Sequence, residues 1–167
     1  MPIRLVASCA YLLVLLAAPP LALVAQARGP VYDRITPAEF QGIMHRLGYA
    51  LKPYKRSDDI KELIGSVEGL NYSVLFYRCD NAAQPHCGVY QYWAKFSGLP
   101  VTAQTMDAWN RKTWLSVAYR GDDGAVRLTL TQRVEGGVAE GNFAAVAKDW
   151  RQALAEFVDF IGFKKKQ

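Results

Sequence analysis

The side chains best suited to catalysis in this sequence are its two histidines. His45 falls within a predicted helix, and His86 lies in a short loop between two cysteines. A hydrolytic triad needs a base within hydrogen-bond reach of a nucleophile and of an orienting group. The sequence places no serine or cysteine nucleophile to act with either histidine. We therefore predict no catalytic residue and a protein that is not an enzyme.

Cys79 and Cys87 allow three kinds of chemistry: a disulfide, a metal site with His86, or a redox pair. A metal site would have only three ligands, whereas structural zinc takes four. Redox pairs are usually spaced C-x-x-C at the start of a helix. The two cysteines instead end two strand-like segments, where residues paired across a hairpin come within disulfide range. This position favours a structural disulfide over the metal and redox alternatives.

The acidic and glycine-containing segments form no ligand-binding motif. Asp122-Asp123-Gly124 lacks the rest of a calcium-binding loop and is typical of a turn. Gly136-Gly137 stands alone, without the longer glycine-rich loop that binds phosphate. The sequence therefore predicts no metal and no cofactor.

The first residues have the pattern of an export signal. Leu5 to Ala27 carries no charge, Pro19-Pro20 interrupts its apolar part, and Ala25-Gln26-Ala27 fits a small-x-small cleavage site. We predict a signal peptide over residues 1–27, cut between Ala27 and Arg28, and a periplasmic or secreted bacterial protein. The alternative is a retained membrane anchor, since ~20 apolar residues span a bilayer. Membrane contact is expected only if the signal is not cleaved.

The composition is that of an ordinary folded protein. Of the 167 residues, 51% are hydrophobic and 21% are charged, which excludes a disordered tail, a fibre and a multi-span membrane protein. The formal net charge is +5, and part of it lies in Lys164-Lys165-Lys166. Because an exported protein rarely meets nucleic acid, we predict no nucleic-acid partner despite this basic balance.

Three helices are predicted from their start signals and their periodicity. The first begins at a capping box, Thr36-Pro37-Ala38-Glu39, and the second begins at Thr102. Asn142 is the expected cap of the third. Apolar residues then recur at helical spacing from Phe143 to Ile161, so this helix must lie on an apolar surface.

Five strands are predicted around these helices. They cover about residues 49–54, 71–79, 88–96, 114–120 and 126–134. Residues 60–67 are ambiguous between strand and helix. Short links between strands imply an antiparallel sheet, so we predict an α+β fold in one domain, with the order α-βββ-α-ββ-α. The domain spans 36–163, after a flexible lead-in at 28–35 and before a basic tail at 164–167.

Aromatic residues crowd the central strands on both faces. Because three helices do not obviously cover both faces of such a sheet, we predict that part of this surface receives a partner. The alternative is that the rings fill the core beneath the helices. The candidate partner surface consists of Tyr77, Tyr90, Tyr92, Trp93 and Phe96.

An ordered set of short motifs resembles the YbjN-domain family. Gly69 to Cys79 resembles that family's central strand motif, and Trp109-Asn110 resembles its Trp-Asn pair in the second helix. Further matching motifs follow in the same order: Ala118-Tyr119, Asp123-Gly124, Glu135-Gly136-Gly137-Val138, Asn142-Phe143 and Trp150.

The resemblance implies a fold similar to type III secretion chaperones and a role as a bacterial sensory transduction regulator, with no catalytic residues to carry over. The expected function is an exported, non-enzymatic module that docks a protein partner, or a second copy of itself, through an aromatic sheet face or an edge strand. A homodimer is expected only by analogy with the similar chaperone fold. The alternatives are a periplasmic enzyme of unknown reaction and a membrane-tethered structural envelope protein.

Overall fold

The computed structural model describes residues 29–55 and 61–163. The predicted leader with its cleavage site at Ala27 and Arg28, residues 56–60 and the tail at 164–167 lie outside the described residues. In chain order the described elements are β1 (Val31–Tyr32), α1 (Pro37–Arg46), β2 (Leu51–Lys55), β3 (Lys61–Val67), β4 (Leu70–Cys79), β5 (Cys87–Phe96), α2 (Ala103–Lys112), β6 (Val117–Arg120), β7 (Val126–Arg133), β8 (Val138–Ala139) and α3 (Glu140–Phe160).

The main sheet is antiparallel and has six strands in the order β2-β3-β4-β5-β7-β6, and β1 pairs with β8 in a separate two-stranded sheet. This confirms the predicted α+β class with three helices, but the prediction of five strands was too low. The additional strand of the main sheet is β3, whose sequence was ambiguous. It pairs with β2 on one side and β4 on the other, so pairing rather than local propensity fixed its conformation.

The helix starts follow the sequence in two of three cases. The Thr36 hydroxyl accepts from the Glu39 N–H at 3.1 Å, and the Glu39 carboxylate accepts from the Thr36 N–H at 2.9 Å, which confirms the capping box of α1. The Thr102 side chain accepts a hydrogen bond from the Thr105 N–H and so caps the start of α2. The predicted cap at Asn142 was wrong. Helix α3 starts at Glu140 directly after β8, and its N-cap is Ala139, without a side-chain cap.

All three helices pack on one face of the sheet and bury its aromatic side chains. Tyr92 stacks on Trp150 of α3 with ring centroids 5.4 Å apart, and Phe96 meets Phe157 edge to face at 5.5 Å. The ring centroids of Trp109 in α2 and Phe157 in α3 are 4.9 Å apart. Each buried aromatic ring removes roughly 150–250 Å² from water, so this face is the core of the fold.

Three of the five residues predicted as a partner surface belong to this core. Tyr90, Tyr92 and Phe96 are 0%, 1% and 4% exposed, so the prediction was wrong for these three. The physical reason is the alternation of side chains along β5, which sends every second residue beneath α1 and α3. Tyr77 and Trp93 lie on the other face of the sheet.

Candidate functional site

The face of the main sheet away from the helices forms a broad surface, which we call the open face. Register places its residues side by side across the six strands. Its apolar members are Tyr54, Ile64, Leu75, Tyr77, Val89, Trp93, Val117 and Tyr119, and its charged members are Lys52, Glu62, Lys95, Arg127 and Arg133. Among the described residues, no helix covers this face.

Several large apolar side chains of the open face are in contact with solvent. Tyr54 is 48% exposed, Tyr77 40%, Val117 54% and Tyr119 41%. Large exposed apolar side chains concentrated on one face of a folded domain point to an interaction site. Tyrosine suits such a site because it combines apolar area with a hydrogen-bonding tip.

A recess of about 300 Å³ lies on the open face. Leu75 and Trp93 supply its apolar lining, and the rest of the lining carries charge. The Arg127 guanidinium lies 5.9 Å from the Trp93 ring centroid and the same distance from that of Tyr119, within range of a cation–π contact to each. The recess therefore combines an aromatic wall with a fixed cation.

Asp123, in the turn between β6 and β7, organises the charged side of the recess. Its carboxylate is 2.7 Å from the Lys95 ammonium and 3.1 Å from the Arg127 guanidinium. The hydrogen bond from Lys95, followed by one from the Ala125 N–H, holds the pKa of the Asp123 carboxyl below its usual value. Asp123 therefore stays ionised and aligns both cations beside the aromatic lining.

The hydroxyl of Ser73 donates to the Glu62 carboxylate on the neighbouring strand. Glu62 also lines the recess, and both side chains are buried although they lie on the open face. The recess thus has an acidic group on the β3 side and basic groups on the β5 and β7 side.

Cys79 and Cys87 form a disulfide between the end of β4 and the start of β5. The two residues are direct partners in the register of the hairpin, which is the arrangement favoured by the sequence. The bond closes the loop that contains Asp80 and His86, and backbone N–H groups of His86 and Ala82 lower the pKa of the Asp80 carboxyl. The disulfide therefore fixes one end of the open face.

The two histidines lie apart from the recess. His45 is exposed in the last turn of α1. His86 lies in the β4–β5 loop, where its Nδ1 is 3.6 Å from the Asp80 carboxylate. Within residues 29–55 and 61–163, no group of three or more His, Cys, Asp and Glu side chains is placed to hold a metal ion.

Both outer strands of the sheet have side chains over their free edges. The Asn110 side chain donates to the Ala118 carbonyl at 2.9 Å and accepts from the Ala118 N–H at 2.8 Å, so it occupies the edge of β6. On β2, the Gln41 amide donates to the Leu51 carbonyl at 2.8 Å, and Pro53 has no N–H to offer. Such devices protect sheet edges against pairing with another chain.

Part of this site was accessible from the sequence. Tyr77 and Trp93 were predicted. Tyr54 and Tyr119 were missed, because their position depends on strand register across the sheet. Aligning all the strands and comparing the alternation of their side chains would have identified these two tyrosines.

No helix among the described residues is both long enough and apolar enough to cross a membrane. No curated protein matches the chain. A family model, YbjN, described as "Putative bacterial sensory transduction regulator", matches residues 36–163, which is most of the chain and includes both the core and the open face. The ordered motifs, the α+β fold and this match together identify the chain as a member of the YbjN family.

Proposed function

We propose that this protein is an exported, non-enzymatic regulatory module that docks a protein partner on its open face. One observation carries the proposal: a six-stranded sheet has all its described helices on one side and exposed tyrosines on the other. Interfaces are enriched in tyrosine, tryptophan and arginine, and the recess and its surroundings provide all three. The family description as a regulator agrees with a binding role.

Docking by the face is better supported than docking by strand addition. An added strand needs a row of free N–H and C=O groups along a sheet edge. Asn110 occupies such a pair on β6, and Gln41 with Pro53 interrupts the row on β2. The open face has no equivalent protection among the described residues.

Export is proposed from the leader and from the cysteine chemistry. Residues 1–27 have the pattern of a signal peptide, and a disulfide between Cys79 and Cys87 suits an oxidising compartment. N-terminal sequencing of the exported chain tests this part. A first residue of Arg28 supports export with cleavage, and an uncut chain in the cytoplasm contradicts it.

Site-specific photocrosslinking in intact cells tests the docking surface. A photoreactive phenylalanine analogue replaces Tyr77 or Tyr119 on the open face, and Trp114 in a control variant. Trp114 is 90% exposed but lies in the turn before β6, beside a groove lined by α3 residues such as Gln152. It is therefore an aromatic position away from the open face that is even more accessible than Tyr77 and Tyr119.

We expect discrete protein adducts from the two open-face positions and none of the same mass from position 114. Circular dichroism of each variant verifies that the fold is retained. Adducts from position 114 alone, or no adduct from positions 77 and 119, would contradict docking on the open face.

A further inference from the structure

Positive charge exceeds negative charge on the open face. Its strand residues contribute four cations, Lys52, Lys95, Arg127 and Arg133, against one carboxylate, Glu62, and two further carboxylates, Asp123 and Glu135, pair with these cations from the adjoining segments. The side chains of Lys95 and Arg133 are 42% and 62% exposed, so their charges are accessible to a partner. A surface with this balance attracts acidic groups and repels basic ones.

The cations lie at both ends of the apolar strip. Lys95 pairs in register with Arg127 at one end of β5, and Val89 pairs with Arg133 at the other. The six-residue separation of Val89 and Lys95 along an extended strand corresponds to ~20 Å. Trp93 lies between the two cationic ends, and the recess lies at the end with Lys95 and Arg127.

Further positive charge lies next to Arg133, around Glu135, whose carboxylate packs against Gly88 on the side that faces the helices. A single carboxylate, Glu135, is shared by Arg133 at 3.7 Å, Arg34 at 3.4 Å and Arg78 at 3.3 Å. Three guanidinium groups around one carboxylate leave hydrogen-bond donors available to an additional acidic group. The opposite end has two cations, Lys95 and Arg127, around Asp123.

A second copy of the chain fits this surface poorly. Two open faces would bring the same excess of cations together. Like charges opposed across an interface lower the affinity several-fold or more. The full chain also has 20 Lys and Arg against 15 Asp and Glu, so charge steers two copies apart. Charge complementarity therefore favours a partner of opposite sign.

We propose that the open face receives an extended, acidic and amphipathic segment of a different protein. In this arrangement carboxylates of the segment lie against the Lys95–Arg127 pair at one end and against Arg133 at the other. An apolar side chain of the segment enters the recess beside Leu75 and Trp93. The inference rests on the proposed docking function and specifies the chemistry of the partner.

Short synthetic peptides test the inference with the full mature chain. The probe alternates Glu and Leu over about eight residues, a length that covers the ~20 Å between the cationic ends when extended. One control peptide replaces each Glu by Lys, and the other replaces each Leu by Ser. Fluorescence anisotropy gives the dissociation constant of each peptide at low and at moderate salt.

A pair of matched double variants identifies the surface. Lys95→Gln with Arg127→Gln removes two cations from the open face, whereas Arg111→Gln with Lys148→Gln removes one Arg and one Lys from exposed positions on α2 and α3. We expect the Glu–Leu peptide to bind at least about tenfold more weakly to the first variant. Its affinity for the second variant should equal that for the wild type, and added salt should weaken binding.

Three results would overturn the acidic partner: no binding of the Glu–Leu peptide, equal binding of the Lys–Leu peptide, or equal loss in the two double variants. Crosslinks from Tyr77 or Tyr119 to a second copy of the chain would also overturn it. Each of these results leaves docking on the open face intact. Docking itself fails only if the open-face positions give no adducts.

Discussion

Replacement of Asn110 by alanine tests whether this residue covers the free edge of β6 and stabilises the fold. Asn110 forms two hydrogen bonds to the backbone of Ala118, at 2.9 and 2.8 Å. Each such bond contributes about 0.5–1.5 kcal/mol net, so their loss amounts to roughly 1–3 kcal/mol. Alanine is the better helix former by up to ~0.7 kcal/mol, which offsets part of this loss within α2. We expect Asn110→Ala to lower the free energy of unfolding by roughly 1–2 kcal/mol.

Urea unfolding followed by circular dichroism measures this change. With a slope of ~2 kcal/mol per molar urea, the midpoint should fall by roughly 0.5–1 M. The matched control is Asn142→Ala, at an exposed position in the first turn of α3 where the asparagine does not cap the helix. The control gains the same helix propensity without losing a cap, so its stability should be unchanged or slightly higher.

The same variant also tests the protection of the edge. Without Asn110, the N–H and C=O of Ala118 are free to pair with another chain. Sedimentation velocity should show concentration-dependent association of Asn110→Ala but not of Asn142→Ala. An Asn110→Ala protein as stable as the wild type, and equally monodisperse, would refute the assignment of Asn110 as an edge cap.

Two further predictions concern the core and the disulfide. Burial raises the pKa of Tyr72 to about 12 from the ordinary value of 10.0. As the pH rises, Tyr72 therefore loses its proton in the unfolded chain before it does so in the folded protein. Its contribution to the free energy of unfolding is complete below pH 10 and falls by up to ~1.4 kcal/mol per pH unit between pH 10 and 12. The difference in tyrosinate absorbance between the wild type and Tyr72→Phe reports on this residue alone and should rise together with the loss of circular dichroism. Ionisation of Tyr72 in the folded protein at pH 10 would contradict the prediction. Reduction of the Cys79–Cys87 disulfide should lower the free energy of unfolding by about 2–3 kcal/mol, from the entropy of the short loop. Urea unfolding with and without reductant measures this, and identical midpoints would argue against a stabilising role.

The burial of the central aromatic residues shows what the alternation of side chains along a single strand predicts and what it does not. Alternation along β5 separates Tyr90 and Tyr92 from Trp93, and this separation was evident in the sequence. Which of the two faces the helices cover was not evident, because both faces carry large apolar side chains. Only the packing of α3, with Trp150 stacked on Tyr92, decides that the tyrosines are core and the tryptophan is surface.

The sequence by itself determined the features that depend on neighbouring residues. The capping box at Thr36 and the disulfide between Cys79 and Cys87 follow from short spacings, because a hydrogen bond or a hairpin pair joins groups already close along the chain. Tertiary structure alone decided the open face and its edges. Asp123 meets Lys95, and Asn110 meets Ala118, only after strands and helices distant in the chain have taken their register. Such contacts form through the packing of the whole sheet, and local propensity carries no information about which partners it brings together.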